Sequence, residues 1–240
     1  MKSEIQNKAL VYIIPSPIDE NECQVFPLSN LDFIKNCQVF FAENLKRTRG
    51  YLKNIFTYID IDTYRWFELN KHDDSKWKKD FTTQIQNKKI IGIFSDSGCP
   101  TIADPGSQLI SIAHKLRAEV KPLVGPSSIL LALMASGFNG QSFQFNGYLP
   151  IKKDRLGKKI KELEKESIRK KTTQIFIEAP YRNNRLVKEL INNSQPQTLL
   201  CIATELTGKK ESIQTMSIEE WQKNIPNLEK KNTVFLVSAQ

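Results

Sequence analysis

Residues 90–106, IIGIFSDSGCPTIADPG, decide the fold of this chain because they join three kinds of local structure in one short stretch. An apolar, β-branched run predicts a buried strand, the Ser-, Gly- and Pro-rich centre predicts a loop, and a helix is expected to start near Pro105. A strand that ends in a loop of small residues is the place where open α/β sheets bind ligands. The segment matches neither the GxGxxG fingerprint nor the P-loop pattern, so neither type of nucleotide site is supported.

Two interpretations of this loop are open at the level of sequence. Ser95, Ser97 and Gly98 would let a ligand approach the backbone, and Asp96 or Asp104 could accept hydrogen bonds from hydroxyl groups or from a cationic amine. Alternatively, the loop is a tight turn whose aspartates cap backbone amides.

Strand and helix patterns alternate along the whole chain. Short β-branched runs bounded by turn residues predict strands at residues 9–14, 38–42, 90–94, 173–177, 198–203 and 233–238. Helical patterns fall at residues 28–35, 46–54, 75–86, 106–116, 127–135, 154–168 and 182–192. This alternation indicates α/β units around a largely parallel sheet.

The sharpest turn in the sequence marks the best domain boundary. Residues 121–128, KPLVGPSS, place two prolines and a glycine between a predicted strand and a Ser-capped helix. No Gly/Ser-rich or Pro-rich linker and no internal repeat competes with this position. We therefore expect two α/β domains, residues 1–123 and 124–240.

The charge of the chain favours an anionic partner. The net charge is +9 and the pI is about 9.3, and residues 152–171 hold ten Lys or Arg against four Asp or Glu. In the helix predicted there, Leu156, Ile160 and Leu163 share one face, which indicates a surface helix docked by one apolar stripe. The cationic side faces either a ligand or only water.

Composition argues against several other classes of protein. The four cysteines form no CxxC pair and there are only two histidines, so neither a disulfide framework, a zinc site nor a hydrolytic triad is supported. The apolar runs are far shorter than the ~20 residues that cross a bilayer. The N-terminal apolar stretch predicts a first strand rather than a signal peptide. We expect a cytoplasmic protein with no membrane span and no metal.

Further segments could carry ligand-binding residues. In residues 124–134, VGPSSILLALM, Pro126 and Ser127 open an apolar helix whose first amides could bind a carboxylate or phosphate, or could be capped in the ordinary way. In residues 176–185, FIEAPYRNNR, Glu178 ends a strand beside Arg182, which fits a site or an internal salt bridge. Residues 203–211, ATELTGKKE, similarly end a strand at Glu205.

Taken in order, these segments resemble motifs of the 16S ribosomal RNA cytidine-2′-O-methyltransferase I family, a branch of the tetrapyrrole methylases. SDSGCPTIADPG resembles the family's SDAGTPxxSDPG, and GPSSILLALMASGF resembles GPSAxxxALxxSGL. FNGYLP, FIEAPYR and ATELTGKKE resemble FxGFLP, YESPHR and RELTKxxEE. The matches span nearly the whole chain.

Two segments depart from the family motifs. FFAENLKRTRGYLK keeps Glu43, Thr48 and Arg49 of AAEDTRxTxxLL but replaces its Asp, Thr and Arg, and the ATPIGNLxD turn becomes IPSPIDENECQVFPLSN. The substrate is therefore less determined than the methyl donor. Alternatives to an RNA substrate are a tetrapyrrole or another small molecule, or an RNA-binding paralogue that has lost catalysis.

The resemblance implies the two-domain α/β fold of the tetrapyrrole methylases, a class III methyltransferase fold, with mostly parallel sheets. It also implies that S-adenosylmethionine binds in an interdomain cleft, mainly against backbone groups. By motif matching, the donor-binding residues would be Pro15, Ser95, Asp96, Gly98, Cys99, Pro100, Ile102, Ala103, Asp104, Ser127, Ser128 and Ala179.

The implied reaction is methylation of a ribose 2′-hydroxyl in small-subunit ribosomal RNA, by an enzyme that is a homodimer in many relatives. Methyl transfer from a sulfonium needs alignment above all, and a base would help to remove the hydroxyl proton. The candidate bases are Glu43, Glu178 and Glu205. The candidate residues for binding substrate phosphates are Arg47, Arg49, Arg182, Lys152, Lys153 and Lys209.

Overall fold

The computed structural model describes residues 8–19, 22, 25–55, 60–69, 74–104 and 106–239. The chain divides into two compact units, Met1–Ser127 and Ser128–Gln240. Each unit has its own five-stranded sheet and its own hydrophobic core. The sequence places the boundary between residues 123 and 124, within the same turn-rich segment.

The first unit is a parallel α/β sheet. Its elements are β1 (Leu10–Ile14), α1 (Asn30–Asn36), β2 (Val39–Ala42), α2 (Leu45–Ile55), a short 3-10 helix (Ile61–Thr63), β3 (Arg65–Glu68), α3 (Asp74–Gln86), β4 (Ile90–Phe94), α4 (Ser107–Lys115) and β5 (Glu119–Pro122). The strand order is β3-β2-β4-β1-β5, and every pair is parallel.

Both faces of this sheet are covered by helices, which is why its central strands are apolar on both sides. Leu10, Tyr12 and Ile14 of β1 pack in one core cluster with side chains of α1 and α2. Val11 packs in a second cluster with side chains of α3 and α4. The period of two along β1 thus divides its side chains between the two layers.

The connections of the first sheet change sides at the carboxyl ends of β1 and β4. These strands are neighbours, but the connection after β1 runs through α1 to β2, and the connection after β4 runs through α4 to β5 on the other side. The two connections cover opposite faces of the sheet. Open parallel sheets bind ligands where such connections diverge.

Gly92 allows the aromatic core of this unit to close. A Cβ at Gly92 would lie 2.5 Å from Cδ1 of Phe40, a fully buried ring that is itself packed on Trp66 and Phe94. We expect Gly92→Ala to destabilise the protein by about 1–3 kcal/mol through overpacking. Gly50→Ala, which meets nothing within 4 Å on α2, should instead stabilise it, by about 0.5–1 kcal/mol. Urea unfolding followed by tryptophan fluorescence measures both changes, and equal stabilities for the two variants would contradict the prediction.

The second unit has a mixed sheet. Its elements are α5 (Ser128–Ser136), β6 (Phe143–Tyr148), α6 (Lys153–Lys170), β7 (Thr173–Ile177), a 3-10 helix (Pro180–Arg182), α7 (Asn183–Asn193), β8 (Leu199–Thr204), β9 (Ser212–Ser217), α8 (Ile218–Lys223) and β10 (Thr233–Ser238). The strand order is β6-β7-β10-β8-β9. Only β6 and β7 pair in parallel, and the other three pairs are antiparallel.

The expectation of mostly parallel sheets is therefore correct for the first unit and wrong for the second. A short turn joins β8 to β9, and such a connection can only make an antiparallel pair. The helices α6, α7 and α8 bury their apolar residues in one cluster around Trp221, Phe176 and Phe235. The remaining helix, α5, packs against β9 and β10.

Three strands of the second unit end at one edge of its sheet. Since β7 and β8 are both antiparallel to β10, they run in the same direction, and β6 runs with them. Their carboxyl ends carry Tyr148, Glu178 and Glu205. Among the described residues, no helix is both long and apolar enough to cross a membrane.

Candidate functional site

Three loops meet at the carboxyl edge of the first sheet. They follow β1 (residues 15–18), β4 (residues 95–106, hereafter the β4 loop) and β5 (residues 123–127). Because β1 lies between β4 and β5, the three loops are neighbours. Most of the residues that the sequence assigns to a donor site lie in these loops.

A small antiparallel bridge ties the first loop to the β4 loop. The amide of Ser16 donates to the carbonyl of Gly98 at 2.8 Å, and the amide of Gly98 donates back at 3.1 Å. The buried hydroxyl of Ser16 donates to the carbonyl of Ser95 at 2.7 Å and also lies 3.1 Å from the hydroxyl of Tyr51. The hydroxyl of Ser95 is turned inward and donates to carbonyls of its own loop. Ser95 therefore shapes the loop rather than facing a ligand.

The β4 loop also packs closely on the loop after β5. Gly98 adopts φ +66°, and a Cβ there would lie 3.3 Å from the carbonyl oxygen of Pro126. The thiol of Cys99 donates to the same carbonyl, with 3.3 Å between sulfur and oxygen. Gly125 is required because a Cβ at this position would lie 2.2 Å from Cβ of Pro15. These contacts hold the three loops as one assembly.

Cys99 is a half-buried thiol that donates a hydrogen bond within the loop assembly. Loss of solvent raises the pKa of Cys99, so the group stays protonated at pH values where an ordinary cysteine begins to ionise. We expect alkylation of Cys99 by iodoacetamide to be slower at pH 8 than that of a cysteine in a short peptide, and to keep rising with pH after the peptide has levelled off. Peptide mass spectrometry of the alkylated protein measures this residue by itself. A profile that levels off at or below the pH of the peptide would contradict the prediction.

Asp104 and Asp96 have different roles in the same loop. The two carboxylate oxygens of Asp104 accept from the amides of Thr101 and Gly106, at 2.8 and 2.7 Å. Asp104 thus braces a segment in which Thr101 and Ala103 both have positive φ. For Asp104 the turn-capping interpretation is confirmed, and these two oxygens are already engaged by backbone amides.

Oδ1 of Asp96 is buried and has no hydrogen-bond partner. An unsatisfied buried oxygen of a carboxylate costs free energy, so its retention at a strand end indicates an acceptor position for a bound group. Hydroxyl and ammonium groups are the donors that suit it. Asp96 is therefore the residue of the β4 loop with the strongest structural signature of ligand binding.

The other residues expected at the donor site are divided between the two units. Pro15 and Pro100 are buried, and Ile102 is half exposed. Ser127 directly precedes α5, and Ser128 is the first residue of that helix. The division between the two units falls between these two serines. Ala179 belongs to the second unit, where it precedes a 3-10 helix.

Glu43 lies beside the β4 loop at the same sheet edge. It directly follows β2, which pairs with β4 so that Ala42 is opposite Phe94. Glu43 is half buried and is the first residue after β2, as Ser95 is the first residue after β4. The next residue, Asn44, accepts from the amide of Arg47 at 3.0 Å and so caps α2. Asparagine therefore supplies a helix cap at the position where the family motif has aspartate.

The arginines of α2 do not share one environment. Arg49 forms an ion pair with Asp62, and its guanidinium lies 6.0 Å from the ring centroid of Trp66. Arg47 lies half buried in the first turn of the helix. Arg49 is thus engaged within the first unit, although its side chain remains 37% exposed.

In the second unit, Glu178 and Arg182 form an internal ion pair. Oε1 of Glu178 accepts from Nε and Nη2 of Arg182 at 2.9 and 2.6 Å, and from the amide of Ala179 at 2.7 Å. Hydrogen bonding to the nearly buried Glu178 raises the pKa of Arg182, which stays charged. The salt-bridge interpretation of this segment is the one that the geometry supports.

Glu205 also has a structural contact. Its Oε1 accepts from the amide of Asn232 at 2.6 Å, and its backbone adopts φ +49°. It begins the turn between β8 and β9, which also contains the exposed Lys209. The turn is thereby tied to the start of β10.

The lysines of the basic segment are at the surface. Lys152 and Lys153 are exposed, and Nζ of Lys153 lies 3.7 Å from Oε1 of Glu189. A groove of about 710 Å³ between α6 and α7 is lined by Lys153, Lys158 and Lys161 among others. Within the described ranges, no group of three or more His, Cys, Asp or Glu is placed to hold a metal ion.

Sequence analysis missed several residues that build these two edges. In the first unit they are Ser16, Tyr51 and Gly125, and in the second they are the exposed Tyr148 and Tyr181. The turn at residues 121–128 predicts a domain boundary and a possible ligand-binding helix start, but neither interpretation assigns a role to Gly125. Tyr148 and Tyr181 lie within the motifs FNGYLP and FIEAPYR, but the sequence analysis assigned no role to either ring.

Comparison with known proteins gives long matches. No protein-family model matches the chain. The chain is 30% identical over 240 residues to a ribosomal RNA small subunit methyltransferase I of Buchnera aphidicola subsp. Baizongia pistaciae, covering 98% of this chain and 78% of that protein. It is 29% identical over 218 residues to the protein of that name in Bacillus subtilis, covering 88% and 68% of the two chains.

Solved structures share the fold at low identity. The crystal structure of the methyltransferase CobJ matches with a TM-score of 0.63 and 14% identity over 97% of this chain and 95% of that chain. The uroporphyrin-III C-methyltransferase of Thermus thermophilus, complexed with S-adenosylhomocysteine, matches with a TM-score of 0.58 and 11% identity over 96% and 97%. These two structural matches, which cover nearly the whole chain, confirm the expected two-domain α/β fold.

Proposed function

Because the chain belongs to the ribosomal RNA small subunit methyltransferase I family, we propose that it transfers a methyl group from S-adenosylmethionine to a ribose hydroxyl of small-subunit ribosomal RNA. The structural observation that carries the donor part of the proposal is the buried, unpartnered Oδ1 of Asp96 in the β4 loop. The RNA part is supported by family membership and by the cationic surface of α6.

The residues of the first unit fit such a donor. S-adenosylmethionine carries an ammonium group and two ribose hydroxyls. These groups donate hydrogen bonds, and Oδ1 of Asp96 is an acceptor without a hydrogen-bond partner. The loop around this oxygen is fixed in position, because Gly98 is buried with its amide and carbonyl paired to Ser16, and the hydroxyl of Ser95 is turned inward. When bound, S-adenosylmethionine supplies an electrophilic methyl group on a sulfonium.

We propose that the protein contributes mainly positioning. The bridge between Ser16 and Gly98 and the contact of Gly125 with Pro15 fix the loops before any ligand arrives. Preorganised loops align reactants without further loss of entropy, which is the largest contribution that an in-line displacement needs. Cys99 packs and donates to the carbonyl of Pro126, so no covalent role is assigned to it.

We propose Glu43 as the base that accepts the hydroxyl proton. Glu178 and Glu205 belong to the second unit, whereas Glu43 belongs to the first unit, which contains the β4 loop. Glu43 stands at the same sheet edge as the β4 loop, one strand away from it. A carboxylate there can take the proton as the oxygen attacks.

The proposed contacts to RNA phosphates follow from exposure. Lys152, Lys153 and Lys209 are exposed, and the contact of Lys153 with Glu189 is at the surface, whereas Arg182 pairs with the nearly buried Glu178. We assign phosphate binding to these lysines and to the half-buried Arg47 in the first turn of α2, and internal pairing to Arg49 and Arg182. We further propose that the enzyme acts in the cytoplasm as a homodimer, which light scattering at micromolar concentration tests.

The decisive experiment incubates the protein with methyl-labelled S-adenosylmethionine and small ribosomal subunits that lack this modification. Mapping of ribose methylation should find label at a cytidine of the decoding region. Donor binding without RNA labelling would overturn the substrate assignment. Transfer to uroporphyrinogen would then establish a tetrapyrrole substrate, and no transfer to any acceptor would leave an inactive RNA-binding paralogue.

A further inference from the structure

Two large aromatic side chains lie exposed at the carboxyl edge of the second sheet. Tyr181 is 74% exposed and Tyr148 is 59% exposed. Tyr148 ends β6 and is paired in register with Ile177, the last residue of β7, and Tyr181 follows Ile177 by one short turn. The strand pairing thus brings the two tyrosines to the same place on the surface.

Arg182 holds the ring of Tyr181 although the ring is in solvent. Nη1 of Arg182 donates to the hydroxyl of Tyr181 at 3.1 Å, and its guanidinium carbon lies 5.1 Å from the ring centroid. The other side of the guanidinium is fixed by Glu178, whose side chain is only 5% exposed. Tyr148 is near enough to the guanidinium to contribute to its raised pKa, after Glu178 and Tyr181. Arg182 is therefore fixed by Glu178 on one side and contacts the ring and hydroxyl of Tyr181 on the other.

The surface that continues from these rings is cationic. Tyr148 leads through Leu149, Pro150 and the exposed Ile151 to Lys152, Lys153 and the basic helix α6. The carbonyl of Ile151 accepts from Nη2 of Arg185 at 3.0 Å, which fixes this connection to α7. Exposed rings next to a track of lysines are the pattern that single-stranded nucleic acid requires, because bases stack on the rings while phosphates pair with the lysines.

We propose that Tyr148 and Tyr181, hereafter the tyrosine platform, stack an unpaired base of the RNA substrate. This inference rests on the proposed function, since it takes RNA as the substrate, and it adds a base-stacking site to the phosphate contacts. Arg182 is a positioning residue here because its charge is neutralised by Glu178 and its Nη1 donates to the hydroxyl of Tyr181. The platform recognises a base that has left its helix and is tolerant of base identity.

The test compares two labelled RNA probes that differ only in their bases. One is a fluorescein-labelled cytidine decamer, and the other is a decamer of the same length built from abasic ribose. Fluorescence anisotropy at several salt concentrations gives the Kd of each. The wild-type protein should bind the cytidine decamer about ten-fold or more tightly than the abasic one, because stacking contributes at about this level per base.

The variants separate stacking from charge. Tyr181→Ala should weaken binding of the cytidine decamer by about ten-fold and leave the abasic decamer and the salt dependence unchanged. The double variant Tyr148→Ala/Tyr181→Ala should bind both probes equally, and Tyr181→Phe should retain most of the preference. Lys152→Ala should instead weaken the binding of both probes by the same factor and reduce the salt dependence of binding.

Phe143→Ala is the matched control. Phe143 is also an exposed aromatic residue, but it begins β6, whereas Tyr148 ends it, roughly 16 Å away at the usual rise per residue. This variant should keep the full preference for bases. A wild-type protein without a base preference, or a preference that survives in the double tyrosine variant, overturns the platform.

Methylation of small subunits, measured in parallel, distinguishes the two proposals. If the platform is correct, the tyrosine variants raise KM for the subunits with little change in kcat. If the wild-type protein methylates RNA but binds the two decamers equally, the platform is wrong and the proposed function stands. If the protein prefers the cytidine decamer through its tyrosines but never methylates RNA, the proposed function is wrong and the RNA-stacking surface stands.

Discussion

Replacing Glu43 by glutamine is expected to lower kcat for RNA methylation by about 100- to 10,000-fold, the usual contribution of a general base. The reason is local: Glu43 directly follows Ala42, which is paired with the last residue of β4, at the edge where the methyl donor is proposed to bind. Glutamine has almost the same shape but cannot take up the proton. Because the loss concerns only the transition state, the KM for RNA and the Kd for the donor should change little.

The matched control is Glu68→Gln. Glu68 ends β3, the next strand along, and lies opposite Ala42 of β2, so the same change is made one strand farther from the β4 loop. Its kcat should stay within about two-fold of the wild-type value, as expected for an exposed residue outside the chemistry. Single-turnover measurements with saturating donor separate chemistry from product release. A Glu43→Gln enzyme with near-normal single-turnover rates would return the base to Glu178, Glu205 or water.

The position of a strand in its sheet decides whether it could be predicted from the sequence. The six predicted runs correspond to β1, β2, β4, β7, β8 and β10, which are the six central strands. The apolar-run pattern delimits none of the edge strands β3, β5, β6 and β9, whose residues are largely exposed or half exposed. A strand with a neighbour on only one side buries less, so its sequence carries less of the signal on which the prediction depends.

The mixed direction of the second sheet was missed for the same reason. The hairpin partner β9 is polar, so the chain from residue 205 to 232 gave no strand that would indicate an antiparallel pair. Two parts of the site were more accessible to prediction. Asp104 accepts from the amide two residues later, which is ordinary turn chemistry, and Glu178 and Arg182 are four residues apart at the start of a helical segment.

The sequence could not distinguish Asp96 from Asp104 as ligand candidates. Both are aspartates in one loop of small residues, and only the three-dimensional path of the backbone decides which carboxylate meets amides. The tyrosine platform was inaccessible in a different way. Its two rings are far apart in the chain, and the register of β6 with β7 brings them together.

The second prediction with a large expected effect concerns Asp96, whose Oδ1 has no hydrogen-bond partner, whereas both oxygens of Asp104 accept from amides. We expect Asp96→Ala to raise the Kd for S-adenosylmethionine and S-adenosylhomocysteine by about 10- to 100-fold, as loss of a hydrogen bond to a charged group predicts. Asp96→Asn should weaken binding less, because an amide oxygen can still accept but without the charge. Isothermal titration calorimetry with both ligands measures these constants. Asp32→Asn, a change at an exposed position of α1, removes the same charge from the same unit and should leave the Kd unchanged.

Thermal unfolding without ligand distinguishes a binding role of Asp96 from a structural one. In the free protein, Oδ1 of Asp96 is buried without a partner, which costs free energy that a ligand would recover. Removing the charge should therefore leave the Tm of the free Asp96→Asn protein unchanged or higher, while the Tm increase caused by S-adenosylhomocysteine becomes smaller. If Asp96 instead supported the loop as Asp104 does, the free protein would lose stability and the ligand-induced increase would be retained. A lower Tm together with an unchanged Kd would thus contradict the donor site proposed at the β4 loop, because the unpartnered oxygen would then have a structural role.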